Sequence, residues 1–422
     1  MNTCSVVTNE SIKNIAHTYD TPFYLYDAQV MKSATEQLRG VLPSGSDIYF
    51  SIKANPLIGI AQFMRSLQCK AEVASDGEMN IAFEAGFVGN EIIFSGPGKT
   101  EDELLYAIEK DISYIMVESI EEMEHIDAIG HCREKIVKIG LRINPDIEVH
   151  GSTVIMGGAS QFGIDEAMID EAIKRAMSLQ NVKLCALHFY LASQLLSIEQ
   201  IVKNAATALS IYSRLHKEYK LKIELIDFGG GFGIPYYAHE DALDMDLLRQ
   251  GFAELFEPHK NNNVRYAFES GRFLLAEAGI YVTKVLYQKK CKGENFIIVD
   301  GGSHHHASSA FLGRYVRHNF PIDIITERPE SCKTKMTICG KQCAPTDVLA
   351  KHVELPQPDI GDLVVVYKSG AYGLTMSPIL FLSNKTPSEL LLSKGKIHVL
   401  RPSMGKELFS QLQNRISEDM LQ

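Results

Sequence analysis

The sequence predicts an α/β protein in two parts. One is a parallel (β/α)8 barrel over residues 28–275; the other is a mainly antiparallel β domain, sandwich- or barrel-like, made of residues 1–27 and 276–422. Two observations carry this. From about residue 23 short apolar runs alternate regularly with amphipathic segments, and after about residue 276 helical periodicity gives way to strand-like runs separated by turn residues. The length, 422 residues, also exceeds what one small core organises.

The strand candidates run in order: FYLYD (23–27), DIYFSIKA (47–54), KAEVAS (70–75), EIIFSG (91–96), YIMVES (114–119), KIGLRINP (138–145), KLCALHFY (183–190), ELIDFGG (224–230) and RYAFE (265–269). Helical patterns such as PLIGIAQFMRSL and EDELLYAIEK lie between them, and Thr100/Glu103, Ser119/Glu122 and Ser197/Gln200 have the spacing of capping boxes. Eight or so strand–helix units in a row imply closure into a barrel rather than an open sheet. Beyond residue 276, IYVTKVLYQKK, NFIIVDGG, KTKMTICG, DLVVVYKSGAY and KGKIHVLRP form the β domain, and the tail MGKELFSQLQNRISEDMLQ has the pattern of a short surface helix.

Composition excludes some partners. There are 42 Lys+Arg against 52 Asp+Glu, a net charge of −10, and no basic run, so wide contact with a nucleic-acid backbone is not expected. No apolar stretch approaches the roughly 20 residues of a membrane helix, so no membrane association is expected. MNTCSVVTNESIKNIAH lacks the basic start and apolar middle of a signal peptide, and the eight scattered Cys form no C-x-x-C pair; both suit a cytoplasmic location with reduced thiols.

Five constellations could carry chemistry. Lys53 ends an apolar strand, where residues face the active end of a barrel; desolvation there would make its amine a Schiff-base nucleophile, although a snorkelling surface Lys has the same signature. Asp227-Phe-Gly-Gly-Gly-Phe-Gly233 follows a strand, and consecutive glycines let backbone amides approach a phosphate. Ile234 breaks the dinucleotide-binding spacing, and GPGKT (96–100) lacks the first glycine of a P-loop. Phe268-Glu-Ser-Gly-Arg272 pairs a carboxylate with a guanidinium across a tight turn, suiting a protonated ring nitrogen and a phosphate, or a plain salt bridge. Gly340-Lys-Gln-Cys-Ala-Pro-Thr-Asp347 and Ser369-Gly-Ala-Tyr-Gly373 fall in the β domain, where Cys343 and Tyr372 could equally be structural. His304-His305-His306 would alternate sides on an extended segment with no carboxylate or Cys at ligand spacing, so no metal site is expected.

In this order and context the constellations resemble the fold-type III pyridoxal-phosphate decarboxylases, which include diaminopimelate and ornithine decarboxylases, with alanine racemase more distant. The resemblance runs from about residue 20 to 395. It implies an alanine-racemase-like (β/α)8 TIM barrel with a β domain, and pyridoxal 5'-phosphate as cofactor. Lys53 would carry the cofactor. Ser193, Gly229, Gly230, Gly231, Gly271 and Arg272 would bind its phosphate, with Tyr372 reaching it from the β domain, and Glu269 would bond the ring nitrogen. Tyr190, in Tyr190-Leu-Ala-Ser-Gln194, replaces the family's stacking His, and Ala192 replaces a Gly; His188 is expected to be structural. Cys343 would assist protonation from a partner subunit, beside Asp347 at the substrate, making a homodimer with shared sites the expected unit.

Two differences bear on specificity. Decarboxylases of diamino acids place an acidic residue after the catalytic Cys, where this chain has Ala344. The Arg-Pro-x-x-Tyr segment that binds a distal carboxylate is replaced by Ser303-His-His-His-Ala-Ser-Ser-Ala-Phe-Leu-Gly-Arg-Tyr315, with His304 as a candidate substrate contact. Together with GAYGLTMSP, these resemble the subgroup acting on conjugated or carrier-protein-bound amino acids in antibiotic and siderophore assembly. The expected reaction is α-decarboxylation of such an L-amino acid. The alternatives are decarboxylation of a free diamino acid such as diaminopimelate, racemisation, or a non-catalytic binding role.

Overall fold

A computed structural model describes residues 7–146, 154–155, 158–260, 263–310, 318–328 and 333–417. Cys4, Cys332, the start of the N-terminal segment, the last residues of the tail and 311–317 of the His-rich region lie outside the described residues. The chain divides into two compact units: Lys32–Pro235 with His239–Leu274, and Met1–Met31 with Tyr236–Ala238 and Leu275–Gln422.

The first unit is a closed parallel barrel. Its strands are β2 (Asp47–Ser51), β3 (Lys70–Val73), β4 (Ile92–Phe94), β5 (Tyr114–Val117), β6 (Val137–Asn144), β7 (Val182–Phe189), β8 (Leu225–Asp227) and β9 (Arg265–Ser270). Each pairs in parallel with its neighbours, β9 with β2 completing one side and β5 with β6 the other. Inward side chains from successive strands fill the interior: Tyr49, Ile93, Tyr114, Met116, Cys185, Ala186, Leu225 and Ala267 form one fully buried cluster. Gly140 is required there, because a Cβ would strike the Met116 sulfur and Ala186. Helices between strands follow the amphipathic pattern, Ile198–Tyr219 being the longest.

Of the three expected capping boxes only Thr100/Glu103 closes in both directions. Ser119 and Ser197 accept from the backbone of Glu122 and Gln200, but the second arm is diverted. Glu122 reaches Lys99 and the Glu118 amide, and Gln200 reaches Asn204, in place of the cap amide.

In the second unit β1 (Phe23–Asp27) pairs antiparallel with β10 (Gly279–Cys291) and parallel with Ser388–Ser393. Pairing is otherwise mainly antiparallel, a second exception being Glu294–Val299 beside Lys333–Cys339. The expected strands are present, and Lys406–Gln411 forms the tail helix. An unexpected element is the helix Asn9–Tyr19, capped by Thr8; its Ile12 and Ile15 pack with Phe23, Leu25, Ile280, Val282, Leu363 and Leu390. Among the described residues no helix is long and apolar enough to cross a membrane.

Candidate active site

The carboxyl ends of the barrel strands gather an unusual density of buried charge. Lys53 lies not on β2 but on the single helical turn Ile52–Ala54 that follows it. Nor is it a lone desolvated amine: its ammonium donates to both oxygens of Glu72, at 2.8 and 2.7 Å, and its side chain keeps 35% exposure while Glu72 has none. Burial pushes the Glu72 carboxyl up, but the Lys53 charge and hydrogen bonds from Lys53 and Ser95 outweigh it and hold it below the usual range. Glu78 is pushed the other way, to about 7, by burial and by the neighbouring Glu72 charge.

Across the site His188, Asp227 and Glu269 bring ligand atoms within 4.8 Å of one another. All three are buried. Burial, then the charges of Glu72 and Asp227, raises the Glu269 carboxyl well above its ordinary value; burial raises Asp227 to about 7, and burial with Arg142 and Lys53 nearby lowers His188. Among the described residues Glu269 Oε1 sits 3.4 Å from His188 Nε2 and forms no hydrogen bond; Asp227 Oδ1 accepts from the Gly229 amide, whereas its Oδ2 has no partner there. His188, expected to be structural, thus belongs to this cluster. The arrangement suits a cation presented at Glu269, and a protonated ring nitrogen is one.

The glycine run is dictated by crowding as much as by ligand access. Gly229 has φ +63 and Gly231 φ +103, both left-handed, and a Cβ at 229, 230 or 231 would strike the carbonyl oxygen of Phe189, Glu269 or Ala192 respectively. The Tyr190 ring lies against Gly229 and Gly230, with the Arg142 guanidinium 5.9 Å from its centroid. Gly271 abuts Ala54 and Ser51, Arg272 opens the short helix that follows, and Ser193 pairs with Val154 in a two-residue ladder. The Ala192 side chain is accommodated, fully buried. Lys53, Tyr190, the glycine run, Glu269 and Arg272 therefore share one edge of the barrel, and the unpartnered Glu269 oxygen together with the glycine cradle fits pyridoxal phosphate.

Sequence reasoning missed Glu72, Arg142 and Glu118. Arg142 donates to Glu118 at 2.7 Å, and Glu118 also accepts from the amides of Gly96 and Gly163. Each is a charge inside an apolar strand run or at its end, the signal that singled out Lys53. The GPGKT lysine is structural: Lys99 is almost fully buried and donates to Gly96 O, Met116 O and Glu122, each at 2.7 Å.

The remaining candidates lie in the β unit. Cys343 is exposed on the 340–347 loop. Asp347 is buried, and its two oxygens accept from the amides of Ser303 (2.6 Å) and Gln342 (2.8 Å), joining that loop to the 301–305 turn. Tyr372 adopts φ +55, and its carbonyl accepts from Ser308. His304–His306 leave a turn, not an extended segment: the amides of His305 and His306 both donate to Gly302 O. His305 contacts Lys385 O and the Tyr281 hydroxyl. His306 Nδ1 accepts from the Ser309 amide, so its Nε2–H donates to Ser369.

A pH dependence follows for His306. Burial lowers its pKa from 6.5 to about 4, and a backbone N–H occupies the nitrogen that would be protonated. A depressed histidine contributes stability that is fully present above pH 6.5 and is lost as pH falls through about 4. His306→Gln should therefore lose less stability on acidification than the parent, by about 3 kcal/mol between pH 6.5 and 4. Parallel melting-temperature profiles for the two proteins would contradict this. The raised carboxyls Glu78 and Asp227 act oppositely, weakening the fold as pH rises from about 4 to 7, so the parent-minus-variant difference is the quantity to read.

The family model described as pyridoxal-dependent decarboxylase, pyridoxal binding domain, matches residues 28–276, more than half the chain. The chain belongs to this family. Among relatives, it is 40% identical over 390 residues (91% of each chain) to the L-glutamyl-[BtrI acyl-carrier protein] decarboxylase of Niallia circulans. It is 31% identical, over 90% of this chain and 96% of the other, to the 2-[(L-alanin-3-ylcarbamoyl)methyl]-2-hydroxybutanedioate decarboxylase of Staphylococcus aureus. The crystal structure of Helicobacter pylori diaminopimelate decarboxylase with L-lysine superposes with a TM-score of 0.87 at 28% identity, covering 95% of this chain and 98% of that one. This decarboxylase thus has the fold-type III architecture and uses pyridoxal phosphate.

Proposed function

We propose that the enzyme removes the α-carboxyl group of an L-amino acid whose side chain is conjugated, either to a carrier protein or to another acid, leaving an amine on the conjugate. The observation that carries this is the 340–347 loop. Ala344 follows Cys343, Lys341 adds a positive charge, and the one carboxylate, Asp347, is committed to backbone amides. A free distal ammonium would meet no counter-charge from this loop, and an unpaired charge at a binding site is strongly selected against. Two of the similar enzymes, the L-glutamyl-carrier-protein and carbamoyl-linked decarboxylases, have conjugated substrates in their names.

In this reading Lys53 would carry the cofactor, Glu72 holds the Lys53 amine at the end of β2, and Tyr190, with Arg142 at its ring, would offer the cofactor an aromatic face. Glu269, backed by His188 and Asp227, pairs with the ring nitrogen. Ser193, Gly229–Gly231, Gly271, Arg272 and Tyr372 receive the phosphate. Pyridoxal phosphate, when bound, supplies an electron sink for the pair released as CO2 departs. Cys343, contributed by the partner subunit of a homodimer, delivers the proton to the carbon that lost CO2. Asp347 keeps the Cys343 loop in place.

Ala344→Asp should raise kcat/KM for free ornithine or diaminopimelate by roughly 10-fold or more, by giving the distal ammonium a partner. No gain on either, with cofactor content unchanged, would show that this loop does not set specificity.

A further inference from the structure

Three histidines stand in succession in the β unit, and two have structural work. His305 and His306 are hydrogen-bonded within the unit. His304 is not: it is fully buried, yet neither ring nitrogen has a hydrogen-bond partner among the described residues. Native interiors rarely leave such groups unsatisfied without a ligand or a function. A second idle group lies close by. The Gln342 side chain accepts at Oε1 from Ser303 Oγ (3.4 Å), while its buried Nε2 has no partner among the described residues. Asp347 locks these two segments together, because a Cβ at Gly302 or Gly340 would collide with its carboxylate.

We propose that His304 and Gln342 form a recognition subsite for the neutral carbonyl that links the substrate amino acid to its carrier; this rests on the conjugated-substrate reading above. α-Decarboxylation on pyridoxal phosphate requires both a free α-carboxyl group and a free α-amine, so an acidic amino acid can be conjugated only through its side-chain carboxyl, as an amide or thioester. The carbonyl of that bond is an acceptor without charge. The Gln342 amide supplies two N–H donors and a neutral imidazole one. Burial, with the Lys341 charge nearby, lowers His304 to about 4, so the ring is neutral near pH 7. Neither group offers the carboxylate that a distal ammonium would need.

Binding to the cofactor-loaded enzyme, read from the change in cofactor absorbance on rapid mixing and before CO2 is released, tests this apart from turnover. The probes are L-glutamate γ-methylamide, L-2-aminoheptanoate, which has the same chain length but no carbonyl, and L-glutamate. The parent should bind the methylamide about 10- to 100-fold more tightly than 2-aminoheptanoate, and more tightly than glutamate. His304→Phe and Gln342→Leu, each retaining cofactor absorbance and a cooperative melt, should each bring the methylamide preference down to about threefold or less. The more exposed Gln342 keeps the test alive if His304→Phe does not fold. A preference that persists in the variants, its absence in the parent, or tighter binding of glutamate overturns the subsite. Failure to release CO2 from any conjugate, with the binding preference intact, would instead sink the proposed function alone.

Discussion

Lys53→Ala should lower CO2 release by at least about 1,000-fold and remove the visible absorbance of covalently held cofactor. No other lysine of the barrel edge can substitute, because Lys99 is committed to two carbonyls and Glu122. The variant also strands Glu72, which is fully buried and held ionised by Lys53. Stability should fall with activity, and adding Glu72→Gln should restore the melting temperature while leaving the enzyme inactive. Recovery of both together would show that Lys53 acts only structurally. The same variant reports on the shared site: mixed with Cys343→Ala, itself impaired, it should regain about a quarter of the parental rate through hybrid dimers carrying one intact site. A mixture no more active than its components would refute a site shared between subunits.

Lys99→Met should be the most destabilising single change outside the catalytic groups. Its ammonium is 1% exposed and makes three short hydrogen bonds that tie the Gly96 turn to Met116 and Glu122. Removing it leaves the mostly buried Glu122 carboxylate without its cation and two carbonyls without their donor, at a cost of about 3–5 kcal/mol and roughly 10 °C in Tm. Glu122 also accepts from the Glu118 amide, and Glu118 pairs with Arg142 beneath Tyr190, so the loss reaches the cofactor edge. Lys99→Met/Glu122→Gln should recover part of the stability. A loss below about 1 kcal/mol for the single change would mean that the network does not support the fold.

The barrel was legible because its two periods are clean: short apolar strands alternate with helices carrying one apolar face. Lys53, Glu269 and the glycine run were legible because each breaks that pattern at a strand end. Glu72 and Arg142 break it too, but what they do depends on partners that only the closed barrel supplies: Lys53, 19 residues from Glu72, and Glu118, 24 from Arg142. The nearness of His188 to Glu269 was not legible, because its strand position says nothing of Glu269, which arrives from a neighbouring part of the barrel. Asp347 has the sequence position of a substrate contact, yet the backbone amides that occupy it come from two loops whose meeting no local pattern records. Ser119 and Ser197 marked helix starts correctly, while side chains four residues or fewer away found partners other than the caps.

The most direct test compares kcat/KM for CO2 release from an L-glutamyl thioester or amide, linked through the side chain, with that for free diaminopimelate, ornithine and lysine. The loop bearing Ala344 and a committed Asp347 predicts that the conjugate is turned over at least about 100-fold more efficiently than any free diamino acid. Equal or better turnover of a free diamino acid would contradict it.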